Sequence, residues 1–504
     1  MISTMNFSKV SALLPIAMII LVIGCLARAA ATVTVEFYDG YEYILTSWAL
    51  FGRHLYIFPR NLLLSAYLGP VSVLASTIGA ESSLVPYHLA MLALNLAGVI
   101  TIAAWIRKLI PELGWAPVVC CVLLNRLFLH YSIFALSDLP AALSVACWFL
   151  AESRFPLADR RGKLFRLAAM LMALLGRPQT AIIPFVSLAV EAWRNRSRCR
   201  DAAAVIVSAG ILYNIAQAGY FSVLNGVSLA RGFRDHVDFL LYYLSTNKAD
   251  LRYHPWWTLL GNFYLILTLP GVFLLVVGIV LQGRGKLTAG NAGPLIGSGV
   301  FLVFLLLCIP KEARYLAPLW PAFAYLQCMA LERIARARAS AATALLAALF
   351  LACSVELNHL EQPFYREHLP RRLAETIRAF TRTSSVVFLK PMTALYPAEN
   401  EFHWSDSAYY VYHWGVPAYV FHAGRLARYA GRSVSFERRG FPVPDDPEML
   451  AAEGEAMIVP ADRIYTAEAL PPVMLPVHMF RWEKQAGDST INLIRADIPL
   501  AEAR

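Results

Sequence analysis

Long apolar runs follow one another through the first 350 or so residues of this chain, with short clusters of Lys and Arg between them. A chain like this must pair its own backbone groups inside lipid, which leaves helices as the spanning elements. A crossing needs about 20 mostly apolar residues, and basic short loops stay in the cytoplasm. The basic clusters are Arg107-Lys108, Arg154 to Arg166, Arg194 to Arg200, Arg284 with Lys286, and Arg333 to Arg338. Setting them all inside predicts about eleven crossings, centred near residues 20, 95, 123, 145, 170, 186, 212, 270, 301, 323 and 347. The odd count puts the N-terminus in the cytoplasm and the C-terminal segment outside. Composition agrees: 58% of the 504 residues are hydrophobic and 15% charged, against about 25% charged in a soluble domain. The net charge of +10 is topological, because the cations sit in inter-span loops; nucleic-acid binding is excluded.

Two places strain this layout. Arg166 and Arg194 leave fewer than 30 residues for two crossings, so a pair of short or tilted helices turning at "GRPQT" (Gly176 to Thr180) is expected. Broken helices at membrane depth are tolerated where they line a cavity. The N-terminus, with Lys9, an apolar stretch from Leu13 to Leu26 and Ala27-Arg28-Ala29, resembles a signal peptide. With many spans following, it is read as an uncleaved first helix. All eight cysteines lie in or beside apolar runs, so no disulfide framework is indicated, and no CxxC or Cys/His spacing suggests zinc.

The fold class is therefore a polytopic α-helical membrane domain, residues 1–355, followed by a small extracytoplasmic α/β domain, residues 356–504. In the latter, "SSVVFLK", "EAMIVPA" and "HMFRWEKQAGDSTINLIR" read as strands, the last as a hairpin, and residues 363–382 have helical patterning. In the first outer loop, Tyr41, Ile44, Leu45 and Trp48 recur at helical spacing, the mark of a helix along the interface. "YHPWW" (Tyr253 to Trp257) reads as an aromatic belt.

The polar residues this topology places outside converge on one face. Glu36, Asp39 and Glu42 crowd into "EFYDGYE" just past the first span. A carboxylate there can act as a general base or stay ionised and hold a divalent metal. Asp39 is favoured as the base: it precedes Gly40 and begins the interfacial helix, where the positive helix end keeps it ionised. Glu36, on the extended approach, and Glu42, within the helix, are expected to be more solvated. Asp138 in "LSDLP" is a second candidate, against the plainer role of helix N-cap before a Pro. Arg126 lies inside an apolar run, where a cation is costly and faces a cavity or partner unless it snorkels. Arg177 in "GRPQT" is an anion ligand or an interface anchor. Lys311, Arg314 and Tyr315 in "PKEARYLAP" stand at the outer mouth of a span, against the positive-inside bias, and together suit an anion such as a lipid phosphate.

These motifs, in this order, resemble the GT-C membrane glycosyltransferases over roughly residues 10–335. "EFYDGYEY" is similar to their first acidic motif and "LSDLPAALSVACWFLAE" to the second. "LLGRPQTAIIPFVSLAV" resembles the short helix pair of the protein mannosyltransferase and aminoarabinose transferase relatives. "PKEARYLAPLWPAFAYL" is similar to the HKE-x-RF-x-x-P signature of the lipid-linked mannosyltransferases, with Pro310 for His and Tyr315 for Phe. The resemblance implies a polyprenyl-phosphate-linked sugar donor and an acceptor lipid, glycan or protein that meet at the outer face of a bacterial inner membrane. By that analogy Asp39 deprotonates an acceptor hydroxyl, which attacks the anomeric carbon with inversion. Lys311, Arg314 and either Arg126 or Arg177 neutralise the departing lipid phosphate. The resemblance implies no certain cofactor, a divalent metal remaining possible.

Two other readings compete. A transporter or lipid flippase predicts ionisable residues at the midplane and inverted repeats; this chain has one deep Arg and no repeat. A polysaccharide ligase or polymerase predicts its key charges in a long late loop.

Overall fold

The computed structural model describes residues 2–33, 60–78, 83–246, 257–285, 287–288, 290–308 and 313–360, with positions 36, 40, 43–44, 46–47 and 50–51 and five strands between 386 and 498. The chain divides into two compact units. One comprises residues 1–31, 61–64 and 88–361, the other 32–60, 65–87 and 362–504.

Five helices are long and apolar enough to cross a bilayer, over Leu13–Thr32, Val85–Leu109, Arg196–Leu224, Ile266–Arg284 and Ala339–Asn358. They coincide with five of the expected crossings, and the protein is an integral membrane protein. The helices are α1 (Ile2–Thr32), α2 (Leu62–Thr77), α3 (Val85–Leu109), α4 (Trp115–Leu123), α5 (Arg126–Tyr131), α6 (Asp138–Arg154) and α7 (Arg160–Gly176). They continue with α8 (Ile182–Arg194), α9 (Cys199–Asn225), α10 (Leu229–Thr246), α11 (Trp257–Arg284), α12 (Ala292–Cys308), α13 (Trp320–Ala337) and α14 (Ala339–His359).

The other six expected centres fall on α4, α6, α7, α8, α12 and α13, which are only 9 to 18 residues long. Seventeen residues rise about 26 Å, less than the roughly 30 Å hydrocarbon core. A count of eleven full crossings therefore does not follow from helix length. The reason lies in burial. In α6, twelve of 17 residues are buried by protein, including Trp148 and Phe149, so neighbouring helices take the place of lipid around it.

Close backbone approach helps pack these helices. A Cβ on Gly278 of α11 would strike the Leu326 carbonyl of α13, and one on Gly297 of α12 would lie 2.7 Å from the Ile183 carbonyl of α8.

Three helix breaks shape the membrane unit. The run around residue 123 is not one crossing: α4 stops at Leu123, and Asn125 restarts the chain as α5 by accepting a 3.0 Å bond from the Leu127 N–H. The carbonyls freed there are taken by distant side chains: Trp320 Nε1 donates to Val122 O at 3.2 Å and Cys353 Sγ lies 3.5 Å from Leu124 O. At the other end of α5, Asn95 Nδ2 donates to Ser132 O at 2.8 Å. The second break is the expected one. Helix α7 ends at Gly176, a 3-10 turn covers Pro178–Ala181, and α8 follows directly. The third interrupts α11 at Thr268 (φ 60°, ψ 167°), two residues before Pro270. Gln327 Nε2 caps its far side by donating to Gly271 O at 3.0 Å.

In the C-terminal segment the described residues form a five-stranded antiparallel sheet of order β1-β3-β4-β5-β2. The strands are β1 (Val386–Phe388), β2 (Ser435–Pro442), β3 (Glu453–Ile458), β4 (Val477–Glu483) and β5 (Thr490–Ile498). The expected hairpin is β4–β5, with Arg481 opposite Ile494. The helix expected over 363–382 and most of the aromatic belt lie outside the described residues.

Candidate active site

Asp138 opens α6, but not as its cap. The N-cap is Ser137, in αR backbone without a side-chain capping bond, and Asp138 is the first helical residue. Its carboxylate instead accepts from Arg177 Nη1, across 39 residues of sequence. The N-cap expectation is thereby corrected: the helix start is used to aim the carboxylate sideways. Arg177 is held as firmly from its own side. It occupies the extended link between α7 and the 3-10 turn (φ −159°, ψ 94°), and its N–H donates to Ala173 O at 2.8 Å. Its carbonyl accepts from both Thr180 N and Thr180 Oγ1 at 2.8 Å. Pro178, which has no N–H to satisfy, suits the first position of the turn.

Arg314 and Tyr315 belong to a further 3-10 segment, Ala313–Leu319, which leads into α13. The Arg177 guanidinium carbon lies 4.4 Å from the Tyr315 ring centroid and that of Arg314 lies 5.7 Å from it. Asp138, Arg314 and Arg177 are 2, 5 and 8% exposed, so both guanidiniums are removed from water. A buried guanidinium is tolerable only with charge and hydrogen-bond partners, and a planar ring face adds to its attraction. Arg is suited to such a place because its planar fork matches carboxylate and phosphate oxygens. The motifs "LSDLP", "GRPQT" and "EARY", far apart in sequence, thus meet in one cluster of the membrane unit. Lys311 lies outside the described residues.

Arg126 belongs to another cluster of the same unit. Its Nε and Nη2 both donate to Glu356 Oε1, the former at 2.8 Å, and His130 Nδ1 stands 3.1 Å from Glu356 Oε2. Arg126 is therefore satisfied by protein rather than snorkelling alone. Sequence reasoning missed Glu356 and His130; the one signal was a lone acid closing the last apolar run, in "LACSVELNH".

In the second unit Glu36 is fully buried, not solvated as expected. Its carboxyl folds back onto Gly40, where an added Cβ would meet the Glu36 side chain and make it move. Asp39 and Glu42 lie outside the described residues. Among the described residues no three His, Cys, Asp or Glu side chains are grouped so as to hold a metal ion.

No family model and no curated protein sequence matches this chain. Solved structures do. ArnT from Cupriavidus metallidurans bound to undecaprenyl phosphate superposes with a TM-score of 0.62 at 14% identity, covering 97% of this chain and 98% of that one. The same protein in the apo state gives 0.51 at 13% identity, over 86% of this chain and 93% of that one. This chain has the ArnT fold. The likeness extends beyond residues 10–335 to nearly the whole chain. At this identity the likeness is one of fold; the ArnT fold here carries its own side chains at the cluster of Asp138, Arg177, Arg314 and Tyr315.

Proposed function

We propose that this protein is a GT-C-type membrane glycosyltransferase that moves a sugar from a polyprenyl-phosphate-linked donor to an acceptor hydroxyl at the outer face of a bacterial inner membrane. The observation that carries the reading is the pair of buried guanidiniums against Tyr315, one of them fixed by Asp138, in a fold whose solved example holds undecaprenyl phosphate. Arg177 and Arg314, with Lys311, receive the donor phosphate, and Asp138 orients Arg177. As the anomeric C–O bond breaks, its electron pair passes to the phosphate, where fixed cations stabilise the growing charge. The acceptor oxygen bonds the anomeric carbon from the opposite side, giving inversion, and its proton goes to a carboxylate of the first loop, Asp39 ahead of Glu36. Arg126, already paired with Glu356, takes no donor role. Residues 1–355 are the site-bearing membrane domain, and residues 356–504 form an extracytoplasmic α/β domain.

The test is transfer of labelled sugar from polyprenyl-phosphate donors to membrane acceptors by the purified chain. Arg177→Gln and Arg314→Gln should each weaken undecaprenyl phosphate binding about tenfold, the value of one charge-assisted contact. Lipid movement across vesicles without sugar transfer would favour the flippase reading instead.

A further inference from the structure

Three hydroxyls in the second unit form a buried chain beside the acidic motif. Ser47 Oγ donates to the Ile44 carbonyl at 2.6 Å. Its Oγ also lies 2.6 Å from Ser72 Oγ, a contact in which either hydroxyl can donate. Tyr87 OH donates in turn to Ser72 Oγ at 3.2 Å. The three hydroxyls thus run from Tyr87 through Ser72 to Ser47, with the carbonyls of Ile44 and Leu68 as the backbone acceptors. Ser72 also has the Leu68 carbonyl of its own helix at 3.1 Å, a longer competing acceptor that would serve if the hydroxyl only had to be satisfied locally. All three residues are buried, Ser47 and Tyr87 completely. A hydroxyl placed there costs free energy unless bonded, and alanine or phenylalanine would fill the same space without that cost. Chained hydroxyls polarise one another and specify one arrangement.

The chain joins three elements, and one of them matters for chemistry. Ser72 lies on α2 and Tyr87 on the first turn of α3, while Ser47 and Ile44 lie among the helical positions 40, 43–44, 46–47 and 50, which follow Glu36 in sequence. We infer that the Tyr87–Ser72–Ser47 chain fixes the described helical positions that follow Glu36 and Gly40, which makes Ser72 a positioning residue for the reaction; the inference rests on the proposed glycosyl transfer. Ser72 touches no reacting atom. It acts by setting where the buried Glu36 carboxylate stands, and a misplacement of about 1 Å can lower turnover by up to roughly 10²-fold.

The experiment uses the full chain in lipid nanodiscs with Ser72→Ala, Ser47→Ala and Tyr87→Phe, each of which removes one oxygen. Three readouts are compared: kcat and KM for labelled polyprenyl-phosphate sugar, affinity for undecaprenyl phosphate, and hydrogen exchange of peptides spanning residues 43–50. Ser72→Ala should lower kcat about tenfold or more, leave undecaprenyl phosphate affinity within about twofold, and speed exchange over 43–50 by roughly fivefold, the worth of one hydrogen bond. Ser72→Thr, which restores the hydroxyl, should recover kcat and exchange together. Unchanged kcat and exchange in Ser72→Ala overturn the inference, as does a loss of turnover matched by lost lipid affinity. If the wild-type chain transfers no sugar, the functional reading fails by itself, and exchange decides the inference: acceleration confined to 43–50 upholds the clamp and its absence removes it.

Discussion

Asp138→Asn tests the heart of the cluster. The substitution keeps the size of the side chain and one oxygen that can accept from Arg177, but removes the charge. The partners' side chains are 3 and 10% exposed, so water cannot compensate Arg177 once the carboxylate is gone. Breaking one side of a buried pair costs about 3–5 kcal/mol, or roughly two to four orders of magnitude in the folding equilibrium. The contact with Tyr315 at 4.4 Å is kept in both proteins and so does not enter the difference. The double variant Asp138→Asn, Arg177→Gln removes both charges and should be milder than the two single losses added together, with a coupling of about 0.5–3 kcal/mol. The assay is unfolding of the purified protein in mixed micelles titrated with SDS, with and without undecaprenyl phosphate. The lipid should rescue Asp138→Asn more than wild type, because its phosphate restores a counter-charge to Arg177. An Asp138→Asn protein within about 0.5 kcal/mol of wild type, or single losses that simply add, would show that the pair does not carry the energy assigned to it.

Three further outcomes are expected. His236, on α10 outside the candidate spans, packs against Tyr213 and Phe221 with neither ring nitrogen bonded among the described residues, and burial holds its pKa below the ordinary value of about 6.5. The unfolded chain thus binds the proton more readily, so His236 contributes stability above about pH 6.5 that is lost as pH falls through the lowered value; melting curves at pH 8 and pH 5 should diverge in wild type and less so in His236→Phe. Thr268 holds backbone angles that favour glycine, so Thr268→Gly should raise stability by about 1–2 kcal/mol after glycine's entropic cost, and a destabilised variant in the same SDS titration would contradict the strain. Reporter fusions at residues 340 and 504 should report opposite sides of the membrane; matching signals would contradict a cytoplasmic N-terminus with an external C-terminal segment.

The apolar runs made the long helices legible, because spanning lipid demands about 20 apolar residues whatever surrounds them. The short helices were less so. In α6 and α13 the residues that look like lipid-facing apolar side chains are buried against protein, a distinction composition does not encode. "GRPQT" announced its break through Gly and Pro, whereas the break at Leu124–Asn125 depends on Trp320 and Cys353, which no local pattern links to it. The site shows the same division. Asp138, Arg177, Arg314 and Tyr315 were each visible as polar residues out of place, but their convergence is a long-range fact. Ser47, Ser72 and Tyr87 left no signal, since isolated hydroxyls are common in apolar helices and only their pairing gives them weight.

The break between α4 and α5 also sets an order of assembly. Nine helical residues are too short to enter a bilayer on their own, and the carbonyls at its end stay unsatisfied until their partners arrive. Those partners stand 198 and 229 residues later in the chain. At roughly 5–20 residues per second, a ribosome needs about 10–40 s to reach the first of them. During that interval the segment around Val122 must shelter at the insertion machinery or among earlier helices. A nascent chain stalled before Trp320 would thus be held in a state that the finished protein never revisits.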